Sequence, residues 1–205
     1  MNLWHDVAPH RVRPEDFLAV IEIEKGSKNK YEMDKETGAL RLDRILYTST
    51  HYPANYGFIP RTWADDGDPL DVLVLCSECI RPLSLVECYP IGVITMEDGG
   101  SLDEKIIAIP FQDPTYNTYQ DISELPNHVA SEIRHFFRVY KGLEGKETVV
   151  RIPERQKLAD DLRTVPKSQV QVQKPRILVS RILRGHRGEE CEENRRVHPE
   201  SIRGR

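Results

Sequence analysis

Four carboxylates lie within seven residues of this sequence, at Asp65, Asp66, Asp68 and Asp71, with no Lys or Arg among them. Carboxylates packed this closely repel one another unless a cation lies between them. Short Asp side chains supply the hard oxygen ligands that Mg²⁺ requires. The alternative is a solvated acidic turn, which is the common outcome for an isolated Asp-Gly-Asp. The pattern indicates a divalent metal site only if other parts of the chain complete it.

A second acidic stretch, residues 97–103, also ends at an apolar strand. Antiparallel pairing of the two regions could bring their acids onto shared ions. The acids that would converge are Asp66, Asp71, Asp98 and Asp103. Two divalent ions about 3.5–4 Å apart can clamp a phosphoryl group and activate a bridging water. A neighbouring carboxylate can then orient that water and accept its proton, and Asp68 is the best placed.

Cations and phenols elsewhere in the chain could bind a leaving phosphate. They are Lys30, Arg44, Lys105, Lys141, Tyr52, Tyr56 and Tyr140. Each also has a plainer interpretation. An isolated Lys or Arg is usually a solvated surface charge, and Tyr140 could complete the apolar face of a helix. Residue type alone leaves both alternatives open at these positions.

Short strands separated by turn residues must position these groups. Gly67 and Pro69 mark a turn, and the apolar run after it predicts a buried strand that holds the turn in place. Strands are predicted at 17–23, 30–33, 39–47, 72–75, 86–95 and 105–110, the second and third forming a hairpin. Apolar residues at helical spacing predict one helix over 127–143. The pattern predicts a mainly β (α+β) fold, a small β-barrel with a helical cover.

Length and composition favour one domain over residues 1–150 and a different segment over 151–205. The first range holds 15 Lys and Arg against 25 Asp and Glu, a net charge of −10, and the second holds 14 against 8, or +6. We expect the basic segment to be partly disordered, chiefly over 185–205.

No apolar run approaches the roughly 18 residues of a membrane span. The first residues do not resemble a signal peptide, so a cytoplasmic protein is expected.

Other site types receive less support. Cys76 and Cys79 have zinc-ligand spacing, but no second pair completes four ligands, so reduced thiols are favoured. An EF-hand loop counted from Asp65 or Asp66 lacks its twelfth-position Glu. No G-x-x-x-x-G-K-[ST] phosphate loop is present. A non-enzymatic barrel module that binds metal or nucleic acid remains the alternative, although a body at −10 repels phosphate backbones.

The stretch Asp66-Gly67-Asp68-Pro69-Leu70-Asp71-Val72 resembles the D-[GN]-D-P-x-D-[VL] motif of soluble inorganic pyrophosphatases of the first family, bacterial type. Companion motifs follow in the family's order: Val20-Ile21-Glu22-Ile23, Lys30-Tyr31-Glu32, Asp43-Arg44, Tyr52-Pro53-Ala54-Asn55-Tyr56-Gly57, Asp98 with Asp103-Glu104-Lys105, and His135-Phe136-Phe137 with Tyr140-Lys141. The resemblance covers about residues 1–148. It implies a closed five-stranded OB-like barrel with additional strands and a covering helix. It also implies hydrolysis of pyrophosphate to two phosphates with several Mg²⁺ ions.

The resemblance also implies a role for each matching residue. Asp66, Asp71 and Asp103 would bind a first ion, Asp71 a second, Asp98 and Asp103 a third, and Glu32 the ion brought with substrate, with Glu22 in the polar network beside these ligands. Asp68 would accept the proton. Lys30, Arg44, Tyr56, Tyr140 and Lys141 would grip the phosphates, supported by Tyr52 and Lys105. Bacterial members form homohexamers, so a homohexamer is expected here.

The sequence departs from the family pattern after about Val149. Family members usually continue with a short Gly-Trp turn and an amphipathic helix that packs on the barrel. Here Arg151-Ile152-Pro153-Glu154 and the basic segment follow instead. Natural divergence and an altered reading frame are both open as explanations. The basic segment carries no residue of the implied site.

Overall fold

The computed structural model of the protein describes residues 2–64, 67–98, 101–146 and 148–151. Within these ranges the chain forms eight strands and one α-helix. The strands are β1 (Phe17–Ile23), β2 (Asn29–Met33), β3 (Leu40–Ile45), β4 (Asn55–Phe58), β5 (Asp71–Val74), β6 (Leu85–Asp98), β7 (Ser101–Pro110) and β8 (Thr148–Arg151). The helix α1 spans Asn127–Val139, and short 3-10 turns span Pro9–Arg11, Ile122–Glu124 and Gly142–Glu144.

Five strands form a circuit of backbone pairing. The order is β1, β4, β5, β7 and β6, and β6 pairs again with β1. β1 reaches two neighbours because residues 17–20 pair with β6 and residues 20–23 pair with β4. β8 extends the sheet at β6, and β2 and β3 form a separate two-stranded sheet. The predicted fold class, a strand-rich OB-like fold with one helix, is confirmed.

Successive residues of the circuit strands pack into two apolar clusters, because side chains alternate between the faces of a strand. Val72 and Ile106 belong to one cluster. Leu73 and Ile107 belong to the other, which also contains Phe137 of α1. Helix α1 therefore covers one face of the sheet, and the cluster that contains Val72 and Ile106 lies on the other face.

β4 and β1 approach closely at Gly57. A Cβ atom built on Gly57 would lie 1.8 Å from the carbonyl oxygen of Val20, which no side chain can tolerate. Only glycine permits this packing. The residues on either side, Tyr56 and Phe58, both line the large cavity described below. The close approach therefore fixes a wall of that cavity.

We interpreted the acidic stretch 97–103 as a turn, but most of its residues belong to strands. β6 continues to Asp98 and β7 begins at Ser101, and these two residues are paired. Only positions 99 and 100, both glycine, lie between the strands in the sequence. Gly-Gly is a favoured sequence for a two-residue hairpin connection, a signal that outweighs the acidity of the stretch.

The expected antiparallel pairing of the two acidic regions is also wrong. β5 and β7 pair in parallel, with Asp71 opposite Lys105. The long strand β6 runs antiparallel to β7, so β7 returns beside β5 in the same direction. Asp103 precedes Lys105 by two positions and shares its side of the strand. The carboxylates of the two regions therefore still meet, by a different geometry.

The helix is shorter than the predicted 127–143. It ends at Val139 with Tyr140 as its C-cap, and a 3-10 turn over Gly142–Glu144 follows. Gly145 has φ +72°, which closes that turn. The next strand, β8, was not predicted. The Thr148 hydroxyl donates to the carbonyl oxygen of Phe137 at 2.5 Å and so ties β8 to α1.

The predictions for 151–205 concern residues that lie almost wholly outside the described ranges, and they stay predictions. In the part of the chain that the structure describes, no helix is long and apolar enough to cross a membrane.

Candidate active site

A cavity of about 650 Å³ lies between the β2–β3 hairpin and the circuit strands. It is rich in charge of both signs, with seven carboxyl side chains and five cationic ones. Of the predicted site residues, it is lined by Glu22, Lys30, Glu32, Tyr56, Asp68, Asp71, Asp103, Lys105, Tyr140 and Lys141. Ten predicted residues from six parts of the sequence thus share one cavity.

A buried ammonium group joins the two acidic regions at the base of the cavity. Lys105 Nζ lies 2.6 Å from Asp71 Oδ2 and 2.9 Å and 3.0 Å from the two oxygens of Asp103. It also donates to the Tyr56 hydroxyl at 3.1 Å, and Tyr56 in turn donates to Asp71. The parallel register of β5 and β7 produces this arrangement, because it places Asp71 directly opposite Lys105.

Burial and charge compete in setting the protonation of these groups. Lys105 is 3% exposed, and burial alone would lower its pKa, but the carboxylates of Asp71 and Asp103 outweigh burial and raise that pKa. Burial raises the pKa of the Tyr56 hydroxyl well above its usual value, and the Asp71 charge adds to the effect. Lys105 is therefore a fixed cation and Tyr56 a fixed hydrogen-bond donor.

Asp68 lies at the cavity mouth with about half of its side chain exposed. Gly67 before it has φ +80°, a left-handed conformation that favours glycine. The Asp68 carboxylate forms an ion pair with Lys35, a residue of the β2–β3 turn. A carboxylate in this position remains open to water.

The hairpin carries an alternating array of charges. Lys30 of β2 lies opposite Arg44 of β3, and Asp43 binds both, at 3.1 Å and 2.6 Å. Lys30 also pairs with Glu32. Although partial burial opposes it, hydrogen bonds and charge from the two cations lower the pKa of Asp43. The hairpin thereby presents Lys30 and Glu32 to the cavity in fixed positions.

Arg44 and Tyr52 do not line the cavity. The Arg44 Nε atom donates to Glu144 at 2.9 Å, which holds the guanidinium toward the turn after α1. Tyr52 is 3% exposed and packs against Tyr56 and Phe136, with ring centroids 5.4 Å and 4.8 Å away. Their predicted contact with phosphate stays a prediction.

Glu22 lies at the inner end of the cavity and is 8% exposed. Burial raises its pKa to about 8, and the charges of Asp71 and Glu32 contribute in the same direction. The backbone N–H of Met33 donates to it at 2.7 Å, which opposes the shift. Burial therefore favours the protonated form of this carboxyl.

Tyr140 and Lys141 reach the cavity from the end of α1. Tyr140 is the C-cap residue, 5% exposed, and stacks on Phe136 with centroids 5.2 Å apart. Lys141 Nζ lies 5.2 Å from the centroid of the Tyr140 ring. Because the helix ends at Val139, these two residues project from its terminus toward the hairpin side.

Asp71 and Asp103 fit a divalent cation by donor chemistry. Both supply hard oxygens, and these oxygens converge on a single point at the Lys105 ammonium. In the described ranges, no three acidic, His or Cys side chains are arranged to hold a metal ion. The side chains of two further predicted metal ligands are not among those described. Asp66 lies outside the described residues, and only the backbone of Asp98 is described.

Sequence reasoning missed three residues near the site. Trp4 and Lys35 line the cavity, and Asp43 bridges Lys30 and Arg44. Asp43 stands beside Arg44 in a quoted motif, so its adjacency was an available signal. Lys35 meets Asp68 across 33 positions of sequence, and no local pattern indicates such a contact.

Comparisons with known proteins identify the family of this chain. The family model described as inorganic pyrophosphatase matches residues 19–172. Soluble inorganic pyrophosphatase 2 of Chlamydomonas reinhardtii is 52% identical over 147 residues, covering 72% of this chain and 77% of that protein. Soluble inorganic pyrophosphatase 1 of Arabidopsis thaliana is 51% identical over 147 residues, covering 72% and 69%.

Solved structures give the same result. The inorganic pyrophosphatase of Helicobacter pylori superimposes with a TM-score of 0.71 at 38% identity, covering 85% of this chain and 95% of that one. The Thermus thermophilus inorganic pyrophosphatase gives a TM-score of 0.68 at 40% identity, covering 80% and 95%. Plant, algal and bacterial proteins are all similar to the chain, so the bacterial type is not distinguished from the eukaryotic one. This chain belongs to the inorganic pyrophosphatase family.

Proposed function

We propose that the protein hydrolyses inorganic pyrophosphate to two phosphates in the 650 Å³ cavity, with Asp68 as the proton acceptor. The observation that carries the proposal is the convergence of Asp71 and Asp103 on the Lys105 ammonium, in a cavity that Lys30, Tyr140 and Lys141 also line. Carboxylates alone would exclude an anionic substrate, and cations alone would bind it without activating water. The family to which the chain belongs supports the same reaction.

Cationic and hydrogen-bond donor groups of the cavity would bind the substrate. Lys30 and Lys141 are cations and Tyr140 is a phenol donor, and all three line the cavity. Such donors stabilise negative charge as it develops on a leaving phosphate. Tyr56, which burial keeps protonated, would support these donors. Arg44 and Tyr52 would support the same donors from outside the cavity.

Asp71, Asp103, Asp66 and Asp98 would hold Mg²⁺, with Glu32 and Glu22 nearby. When bound, Mg²⁺ would neutralise charge on the phosphates and lower the pKa of the attacking water. Asp68 would orient the attacking water and accept its proton from the cavity mouth. Its exposure to solvent gives the proton a path out. Several ions per site, and Mg²⁺ as the cellular metal, belong to this proposal.

The proposal extends to assembly and location. A homohexamer follows from the resemblance to bacterial members of the family. A cytoplasmic location is proposed from the similarity to proteins named as soluble inorganic pyrophosphatases. The non-enzymatic binding module finds no support, because the relatives described above are named as pyrophosphatases.

Asp68→Asn tests the assignment of the proton acceptor. It should reduce phosphate release from pyrophosphate by about 100-fold or more, the scale of a lost general base. Mg²⁺ binding measured by calorimetry should be largely retained. Glu36→Gln is the matched control, because Glu36 is an exposed carboxylate on the same cavity wall and has no assigned role. An Asp68→Asn variant that turns over like the Glu36→Gln variant would disprove the assignment.

A further inference from the structure

Lys35 binds the turn that carries Asp68. Its ammonium group pairs with Asp68 Oδ1 and donates to the carbonyl oxygen of Gly67 at 3.3 Å. Two acceptors on adjacent residues therefore share one cation. The φ of +80° at Gly67 allows the turn to present both acceptors to Lys35.

The N-terminal segment (residues 2–6) holds Lys35 from the opposite side. The Asn2 side-chain amide donates to the carbonyl oxygen of Lys35 at 2.9 Å, which fixes its backbone. Lys35 Nζ lies 5.3 Å from the centroid of the Trp4 ring, within range of a cation–π interaction. The ammonium is thus restricted by a ring as well as by two oxygens.

Trp4 is itself rigidly placed. It is 5% exposed, and its indole N–H donates to the carbonyl oxygen of Thr62 at 3.1 Å. Its ring stacks on Trp63 with centroids 5.3 Å apart and an interplanar angle of 7°. The backbone N–H of Arg61 donates to the Trp4 carbonyl oxygen at 2.9 Å. The N-terminal segment therefore connects the β2–β3 turn to the loop that leads into the acidic turn.

We propose that Lys35 is a positioning residue that fixes the Asp68 carboxylate, with Trp4 as its support. The inference rests on the proposed function in taking Asp68 as the proton acceptor. An exposed ion pair alone contributes little, and these two side chains are 52% and 53% exposed. The Gly67 carbonyl and the Trp4 ring add the restraint that an isolated pair lacks. Misplacing a reacting group by about 1 Å can cost up to about 100-fold in rate.

The test compares steady-state kcat and KM for pyrophosphate at saturating Mg²⁺ in wild type, Lys35→Met, Lys35→Arg and Lys146→Met. Lys35→Met should lower kcat about tenfold and leave KM within about twofold, because the group acts through Asp68 rather than on substrate. Lys35→Arg should return kcat to within about threefold of wild type, since it restores a cation. Lys146→Met removes an exposed lysine outside the cavity and should change neither constant.

A second variant tests the support. Trp4→Leu should lower kcat about threefold, and combining it with Lys35→Met should add almost nothing, because coupled residues are not additive. Thermal midpoints of all variants keep loss of folding apart from loss of rate. Should Lys35→Met unfold at the assay temperature, Lys35→Gln takes its place.

The outcomes separate the inference from the function on which it rests. A KM raised more than about fivefold at constant kcat would make Lys35 a substrate ligand and overturn the inference. If kcat and KM of Lys35→Met equal those of wild type, Lys35 forms a surface ion pair only. A Lys35→Arg variant as slow as Lys35→Met would exclude a positioning cation. A wild-type protein that releases no phosphate from pyrophosphate removes the proposed function, and the inference with it.

Discussion

Replacing Lys105 by Met removes the buried cation between Asp71 and Asp103. Lys105 is 3% exposed and lies within 3.0 Å of an oxygen on each carboxylate. Met fills a similar volume, so the change leaves packing nearly intact and removes the charge. The two carboxylates would then face each other without the ammonium between them, and their mutual repulsion would destabilise the native state.

The size of the effect follows from burial. Removing one partner of a buried ion pair costs about 3–5 kcal/mol. The Asp71 and Asp103 side chains keep 29% and 22% exposure, so water partly screens them. We therefore expect a loss of about 3 kcal/mol in the free energy of unfolding, at the lower end of that range.

Urea denaturation followed by circular dichroism, in chelator and in excess Mg²⁺, measures this loss. A divalent ion between Asp71 and Asp103 can replace the lost charge, so Mg²⁺ should reduce the loss by at least about 1 kcal/mol through linkage. Lys146→Met serves as the control for removing a lysine. Adding Asp71→Asn to Lys105→Met should recover part of the stability in chelator, because the repulsion between the two carboxylates is then removed.

Two results would refute this reasoning. A loss below about 1 kcal/mol in chelator would mean that Lys105 is not an essential counter-ion, since that is the scale of exposed pairs. An equal loss with and without Mg²⁺ would mean that Asp71 and Asp103 do not form a cation site.

Three further predictions concern the scaffold. Gly57→Ala should destabilise the protein by about 3 kcal/mol or more, measured by thermal unfolding, because its Cβ would lie 1.8 Å from the Val20 carbonyl oxygen. Asp113→Asn should lower the free energy of unfolding by about 1–2 kcal/mol at pH 7, measured by urea titration. The difference in this free energy between variant and wild type should narrow below about pH 4. A chain that ends at Arg151 should keep both turnover and thermal midpoint if the basic segment is dispensable.

The sign at Asp113 follows from its contacts. Burial alone would raise its pKa, but backbone N–H groups of Ser77 and Thr115, at 2.6 Å and 2.9 Å, lower it below the usual value. The stabilisation is therefore present above the unfolded pKa of about 3.9 and is lost as pH falls through the lower folded value. A difference that stays constant down to pH 3 would contradict this assignment.

The controls for the other two predictions are equally specific. Gly142 has open space around its Cβ position, so Gly142→Ala should be nearly neutral. A Gly57→Ala variant as stable as Gly142→Ala would show that β1 and β4 can separate at no cost. A lower thermal midpoint for the chain ending at Arg151 would assign a stabilising role to residues 152–205.

Local sequence patterns were sufficient for much of the fold. The β1 bounds are those predicted, because an apolar β-branched run between turn residues has few other solutions. The start of α1 at Asn127 was also predicted, from apolar spacing. The end of the helix was not, because the two glycines and the C-cap at Tyr140 set it, and boundaries depend on such local competition.

Contacts between distant residues explain most of the rest. The parallel pairing of β5 and β7 depends on the path of β6, which no local pattern encodes. Arg44 was expected to bind phosphate, and the structure adds that Glu144, 100 positions away, accepts a hydrogen bond from its Nε atom. The sequence predicted the chemistry of Lys105 as support for phosphate. The structure adds that two carboxylates hold the ammonium inside the site.

Phosphate release from pyrophosphate, measured with Mg²⁺ and with chelator and with ATP as a competing substrate, tests the central claim most directly. The proposed function predicts rapid release from pyrophosphate that requires Mg²⁺ and slow release from ATP. Release from ATP but not from pyrophosphate, or release that persists undiminished in chelator, would contradict it.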